Sequence, residues 1–154
     1  MTLHSFAPPS APGDASKAAA TSEGVGAGRK PLARILVVED EWLVACEIEA
    51  ALEGEGWEVV GIAASADEAV RMAEVHRPDL VLMDIRIRGN RDGIHAALEI
   101  SRRFGLRSLF VSANHDPGTR ERAQAAYPLG WVPKPFSAPL LVSAVEEALR
   151  GLRP

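Results

Sequence analysis

The residues best equipped for chemistry sit at the ends of short apolar runs. Glu39 and Asp40 follow ARILVV (33–38), and Asp84 follows LVLM (80–83). Ser112 closes RSLFVS (107–112), and Lys134 stands in GWVPKPF (130–136). Acids in such places commonly do no more than cap the next helix and complement its dipole. Brought together they would do something else. Three carboxylates within a few ångströms repel and raise one another's pKa unless a cation lies among them. A set of oxygen ligands is what Mg2+ prefers, so Glu39, Asp40 and Asp84 together point to a magnesium site. Lys134 alone is too little charge to neutralise all three.

Whether these groups meet depends on the elements that carry them. ARILVV, WEVVGIA (57–63), LVLM, RSLFVS and the short run in GWVPKPF read as five strands. Between them lie helical patterns. EWLVACEIEAALEGEG (41–56) has Leu43, Val44, Ile48, Ala51 and Leu52 at helical spacing and closes on two glycines. SADEAVRMAEVHRP (65–78) opens with Ser65 and Glu68 as a capping box and ends at Pro78. DGIHAALEISRRFG (92–105) is a third helix, and HDPGTRERAQAAYP (115–128) a weak one between two prolines. SAPLLVSAVEEALRGL (137–152), capped by Ser137, is the last. Strictly alternating strands and helices predict an α/β fold, a doubly wound parallel sheet. With right-handed crossovers the leading order for five units is 2-1-3-4-5, the flavodoxin-like arrangement. Pro133 agrees, because the fifth strand would lie at a sheet edge, where a missing N–H is tolerated. Such sheets bind ligands beyond the carboxyl ends of their strands, where the strand order reverses, and that is the edge to which all the singled-out residues are delivered.

Composition narrows the function classes. The chain has 154 residues, 47% hydrophobic and 25% charged, enough for one domain and an extension. A net charge of −4 without a lysine–arginine stripe gives no nucleic-acid footprint. No apolar stretch reaches a membrane span, and the first residues lack a secretory core. A lone cysteine, Cys46, excludes an internal disulfide and fits a reducing, cytoplasmic setting. Residues 1–31, rich in Ala, Gly, Pro and Ser, read as a flexible tail, and 32–154 as the folded domain.

VVED (37–40), LVLMD (80–84), DGI (92–94), FVSA (110–113) and PKPF (133–136) resemble, in order and placement, the receiver domain of two-component response regulators, the CheY-like family. The resemblance covers residues 32–150. It implies that Asp84 is the phosphoacceptor for a phosphoryl group carried by a histidine kinase or a histidine phosphotransfer protein. It implies that Glu39, Asp40, Asp84 and the backbone carbonyl of Arg86 hold Mg2+, with Asp40 the more direct ligand. Lys134 would contact the phosphoryl group, Ser112 would be the switch hydroxyl, and Trp131 would take the aromatic switch position, with Tyr127 a poorly spaced alternative. Pro135 would follow a cis peptide that aims Lys134 inward. Arg86 and Asn114, two residues after Asp84 and Ser112, would tune the lifetime of the aspartyl phosphate. The last helix finishes close to Pro154, so the expectation is a stand-alone receiver without a DNA-binding output domain. It would signal to a downstream protein by contact, with a pairing of two copies through the fourth helix, fifth strand and fifth helix open to it.

Three departures from the family pattern stand out. The stretch from Asp84 to Asp92-Gly93 is one residue longer than usual and carries Arg88 where a proline is common. That predicts a looser, more cationic loop in which Arg86, Arg88 and Arg91 rim the entrance and attract a phosphorylated donor. Trp131 replaces the usual tyrosine or phenylalanine. The fourth helix looks short or irregular. Two other readings compete. A phosphorylation-independent receiver-like binding module would have no use for the retained acids, hydroxyl and lysine. A haloacid-dehalogenase-like phosphohydrolase, which also forms an aspartyl phosphate, needs an acid where Arg86 stands.

Overall fold

Residues 34–38 alternate sides so that Ile35 and Val37 face one way and Leu36 and Val38 the other, and all four are buried. That is the mark of a central strand in a parallel sheet covered on both faces. The computed structural model describes residues 32–114 and 116–154, and the tail expected over 1–31 lies outside them. Strand β1 is Arg34–Val38, helix α1 Trp42–Glu53, β2 Glu58–Ala63, α2 Ala66–His76, β3 Leu80–Met83 and α3 Gly93–Phe104. Then come β4 Ser108–Ser112, α4 Pro117–Ala123, a 3-10 turn Gln124–Ala126, β5 Gly130–Pro133 and α5 Ala138–Gly151. The strands are parallel in the order β2-β1-β3-β4-β5, as the alternation predicts. Pro133 ends the edge strand β5, opposite Ser112.

Each face of the sheet has its own apolar layer. Ile35, Val37, Leu80, Leu82, Leu109 and Val111 pack under α1 and α5 through Ile48, Leu52, Leu141 and Val145. Leu36, Val38, Val81, Met83 and Phe110 pack under α2, α3 and α4 through Val70, Ile94, Ile100 and Ala123. Helix α1 corrects one expectation. It buries Ala45, Ile48 and Leu52, while Leu43 is 78% exposed beside Trp42 at 68%. Leu43 lies five residues before Ile48, roughly 140° around the helix, so it cannot share the buried stripe.

The helix starts follow from local hydrogen bonds. Ser65 accepts from the Glu68 N–H, but Glu68 Oε2 reaches the N–H of Ala64 rather than that of Ser65, so the expected capping box is displaced by one residue. Asp92 caps α3 and shares a reciprocal box with His95. Asp92 Oδ2 also accepts from Arg122 of α4 at 2.9 Å. Burial works to raise the Asp92 pKa, but the His95 N–H and Arg122 outweigh it and hold the carboxyl below its ordinary value. Helix α4 is short, as expected, and ends in the 3-10 turn with Tyr127 left-handed at φ 52°.

Candidate functional site

The register of the three central strands brings the acids together. Asp84 N–H donates to the carbonyl of Val38 at 3.0 Å, and Glu39 N–H to that of Ala63 at 2.8 Å. The strand ends of β1 and β3 are thus level, and carboxylate oxygens of Glu39, Asp40 and Asp84 lie within 4.8 Å of one another. Lys134 arrives from β5, its backbone N–H on the carbonyl of Ser112 at 3.2 Å. The Lys134–Pro135 peptide is cis. The ammonium donates to Asp84 Oδ2 at 2.8 Å and forms an ion pair with Glu39 Oε1. Asp84 Oδ1 accepts from the N–H of Ile85 at 2.7 Å, so each oxygen of this buried carboxylate has one donor. Ser112 is buried, and its Oγ accepts from the Asn114 N–H at 3.1 Å, which leaves the hydroxyl hydrogen to donate elsewhere. Asp84, Lys134, Ser112, Asn114, Arg86 and Glu41 line one cleft of about 290 Å³.

Glu39 is only 2% exposed. Burial raises its pKa above the ordinary value, and the Asp84 charge adds to this; the Lys134 ammonium and the Glu41 N–H offset only part. Burial would lower Lys134, but the carboxylates of Asp84 and Glu39 outweigh it and raise that group. An isolated ion pair would push its two members in opposite directions. Here one ammonium serves two dry carboxylates, so the lysine gains and Glu39 remains short of positive charge. By distance Glu39 Oε1 is paired with Lys134, yet no hydrogen-bond donor is aligned on that buried oxygen. Three clustered carboxylates, two of them buried, that share one ammonium suit a hard divalent cation with oxygen ligands.

The loop after Asp84 differs from its expectation. Arg88 N–H donates to the carbonyl of Ala64, and residues 65 and 88 form an isolated parallel bridge. Arg91 points at neither the cleft nor Lys134. Its guanidinium joins Glu99 at 2.5 Å to Asp67 at 2.7 Å, tying the loop to α3 and α2. Opposite charges on both flanking helices outbid an already paired site. Of the three arginines only Arg86 lines the cleft. Arg91→Gln is expected to cost about 0.5–1 kcal/mol in urea unfolding, as exposed ion pairs do. An unaltered midpoint would mean that the pairs with Glu99 and Asp67 do not hold the loop.

The sequence assigns no role at the site to two further residues. Glu41 lines the cleft but reads as one more acid in a capping run. Gly93 opens α3 so close to the site that a Cβ there would lie 1.8 Å from the Asp84 carbonyl oxygen.

The sequence matches the response regulator receiver domain over residues 35–146. The chain belongs to that family. The receiver is 39% identical over 120 residues to the transcriptional regulatory protein PdtaR of Mycobacterium tuberculosis, covering 78% of this chain and 58% of PdtaR. It is 34% identical over 117 residues to the phyllosphere-induced regulator PhyR of Methylorubrum extorquens, covering 75% of this chain and 43% of PhyR. The chain therefore spans less than two thirds of either relative. Among solved structures it is similar to the signal receiver domain of a modulated diguanylate cyclase from Desulfovibrio desulfuricans, with a TM-score of 0.73 and 34% identity over 79% of this chain and 96% of that one. Among the described residues no helix is long and apolar enough to cross a membrane.

Proposed function

We propose that this receiver accepts a phosphoryl group on Asp84 from a phosphohistidine of a sensor kinase or phosphotransfer protein. What carries the reading is a buried carboxylate at the end of β3, 2.8 Å from an ammonium and within 4.8 Å of two further acids, in an open cleft. An Asp84 oxygen attacks phosphorus, the P–N bond breaks, and the leaving imidazole nitrogen takes up a proton, leaving an aspartyl phosphate. Glu39, Asp40, Asp84 and the backbone carbonyl of Arg86 would hold Mg2+. When bound, the ion offsets repulsion between the carboxylate and the incoming phosphoryl oxygens.

The remaining work falls to the chain. Lys134, which pairs with Asp84 and Glu39, contacts the phosphoryl group, a task suited to a point charge on a flexible stem. Ser112 offers its hydroxyl hydrogen to the same group, a charge-assisted bond that does not exist beforehand. Arg86 and Asn114, both lining the cleft, control the approach of water and so the lifetime of the acyl phosphate. The domain is a cytoplasmic phosphoacceptor and not a turnover enzyme, and it signals through protein contacts on the face of α4, β5 and α5.

Incubating the protein with phosphoramidate and Mg2+ should add one phosphoryl group by intact mass, labile to hydroxylamine. Asp84→Asn and removal of Mg2+ should each abolish the gain. Labelling that survives in Asp84→Asn would move the acceptor to another residue, and a wild-type chain that stays unmodified would favour the phosphorylation-independent binding module instead.

A further inference from the structure

One carboxylate makes two ties at the start of α3. Asp92 Oδ1 accepts from the His95 N–H at 3.0 Å and caps the helix, while Oδ2 accepts from the Arg122 guanidinium of α4 at 2.9 Å. The His95 ring lies against the same Oδ1 at 2.9 Å. Arg91, the neighbour of Asp92 in sequence, turns to Glu99 and Asp67, so the guanidinium that serves the cap comes from another helix. That helix gives Arg122 a firm base. Its own cap, Asp116, accepts from both the N–H and the hydroxyl of Thr119, and Thr119 and Ala123 are buried. On the other side of the cap, Gly93 meets the acceptor segment. Its N–H donates to the Ile85 carbonyl at 2.7 Å, and its Cα leaves no room for even a methyl group beside the Asp84 carbonyl. The first turn of α3 thus braces the backbone that carries the Asp84 carboxylate and leads into Arg86. Arg122 reaches the acceptor through cap and brace without touching it.

We propose that Arg122 is a positioning residue for the Asp84 site: by fixing the Asp92 cap from α4 it holds the start of α3 against the Asp84–Ile85 backbone and keeps the acceptor carboxylate beside Glu39 and Asp40. The part that concerns phosphoryl transfer rests on the phosphoacceptor reading above. Without Arg122 the cap loses one of its ties, and the start of α3 departs from the loop more often. A ligand that needs the three acids together then binds in proportion to the fraction that stays competent. A partly exposed ion pair sets the ceiling, so the loss is about two- to fivefold.

The test compares the full-length wild type with Arg122→Ala, Arg122→Lys and Asp92→Asn, and uses the exposed Arg102→Ala as a control for lost positive charge. Asparagine still caps a helix, so Asp92→Asn keeps α3 and removes only the charge that Arg122 meets. Hydrogen exchange of the Gly93 amide reports the brace, and that of Leu82 in the buried strand β3 reports global stability. In Arg122→Ala the Gly93 amide should exchange about two- to fivefold faster relative to Leu82 than in the wild type. Mg2+ binding should weaken, and labelling by phosphoramidate should slow, by about the same factor. Arg122→Lys should fall in between and Arg102→Ala should match the wild type. Arg122→Ala added to Asp92→Asn should change nothing more, since both act through one contact. A Gly93 amide that accelerates no more than Leu82 overturns the proposal, because Arg122 then only stabilises the fold. A loosened amide with unaltered Mg2+ affinity overturns the link to the acids. An equal effect of Arg102→Ala, or an undiminished effect of Arg122→Ala in Asp92→Asn, overturns the route through the cap. A wild-type chain that takes up neither Mg2+ nor a phosphoryl group overturns the phosphoacceptor reading, while the amide still judges the brace.

Discussion

Lys134→Met should destabilise the metal-free protein by about 3 kcal/mol near neutral pH. The substitution keeps the length of the stem and removes only the charge. That charge is 16% exposed and sits between Asp84 and Glu39, with Asp40 close by. Without it, two buried carboxylates face each other with no counter-ion, the arrangement in which breaking an ion pair is most costly. Urea unfolding in EDTA should show a lower midpoint with an unchanged slope. Adding Mg2+ should then recover more stability in the variant than in the wild type, since a cation that binds only the folded state stabilises by mass action. Equal stability of the two proteins in EDTA would mean that the acids are not short of positive charge, and the argument for a divalent ion would lose its electrostatic basis.

The dependence of that loss on pH has a definite sign. Glu39 is held above its ordinary value, chiefly by burial, so the folded state binds its proton more tightly than the unfolded chain does. Its contribution is most favourable below the ordinary glutamate range, about 4.3, and is lost as pH rises through the folded value. Burial opposes the charge on Lys134, but the two carboxylates raise it above its ordinary value, so its contribution is complete below about 10.4 and is lost at higher pH. Lys134→Met removes the second contribution and pushes Glu39 further up. The difference between variant and wild type should therefore grow as pH rises from the ordinary glutamate range toward neutrality. A difference that shrinks on going from acid to neutral pH would contradict the assignment.

Much of this was legible because parallel strands leave a strong imprint. Strands β1, β3 and β4 are buried on both faces, so they read as unbroken apolar runs, and a polar residue that ends one is placed at the sheet edge without further information. Glu39, Asp84 and Ser112 are brought to one edge on that ground alone, whereas Lys134 follows the half-buried edge strand β5 and is placed there by the alternation of strands and helices. What could not be read were choices among equivalent partners. Arg86, Arg88 and Arg91 are indistinguishable by spacing, and only the positions of Asp67 and Glu99 on two other helices turn Arg91 away. Trp131 was legible as the aromatic of β5, but the Arg120 guanidinium of α4 over its ring was not, because a cation–π contact leaves no periodic trace. Leu43 stands among the apolar residues at helical spacing, but its angle from Ile48 puts it outside the buried stripe.

Gly93→Ala should be the most damaging change of a single methyl group in the domain. The added Cβ would lie 1.8 Å from the Asp84 carbonyl oxygen, 2.8 Å from its carbon and 2.9 Å from Ile85 Cα. These are backbone atoms, so no rotamer change relieves the overlap. The first residue of α3 is also tied to the same loop through the Gly93 N–H, which donates to the carbonyl of Ile85 at 2.7 Å. Either α3 retreats and this bond breaks, or the chain after Asp84 moves and takes the carboxylate with it. Overpacking on this scale costs about 3 kcal/mol. A displacement of the acceptor by an ångström should slow phosphorylation by about 100-fold. Gly151→Ala, whose Cβ would meet Leu129 at an ordinary 3.9 Å, is the matched control and should be near neutral in both assays. Comparing the two measurements tells which way the strain is relieved. Lost stability with a normal rate means that α3 moved, and a slow but stable variant means that the acceptor loop did. A Gly93→Ala protein with wild-type midpoint and wild-type rate would show that the contact between α3 and Asp84 is not what holds the carboxylate in place.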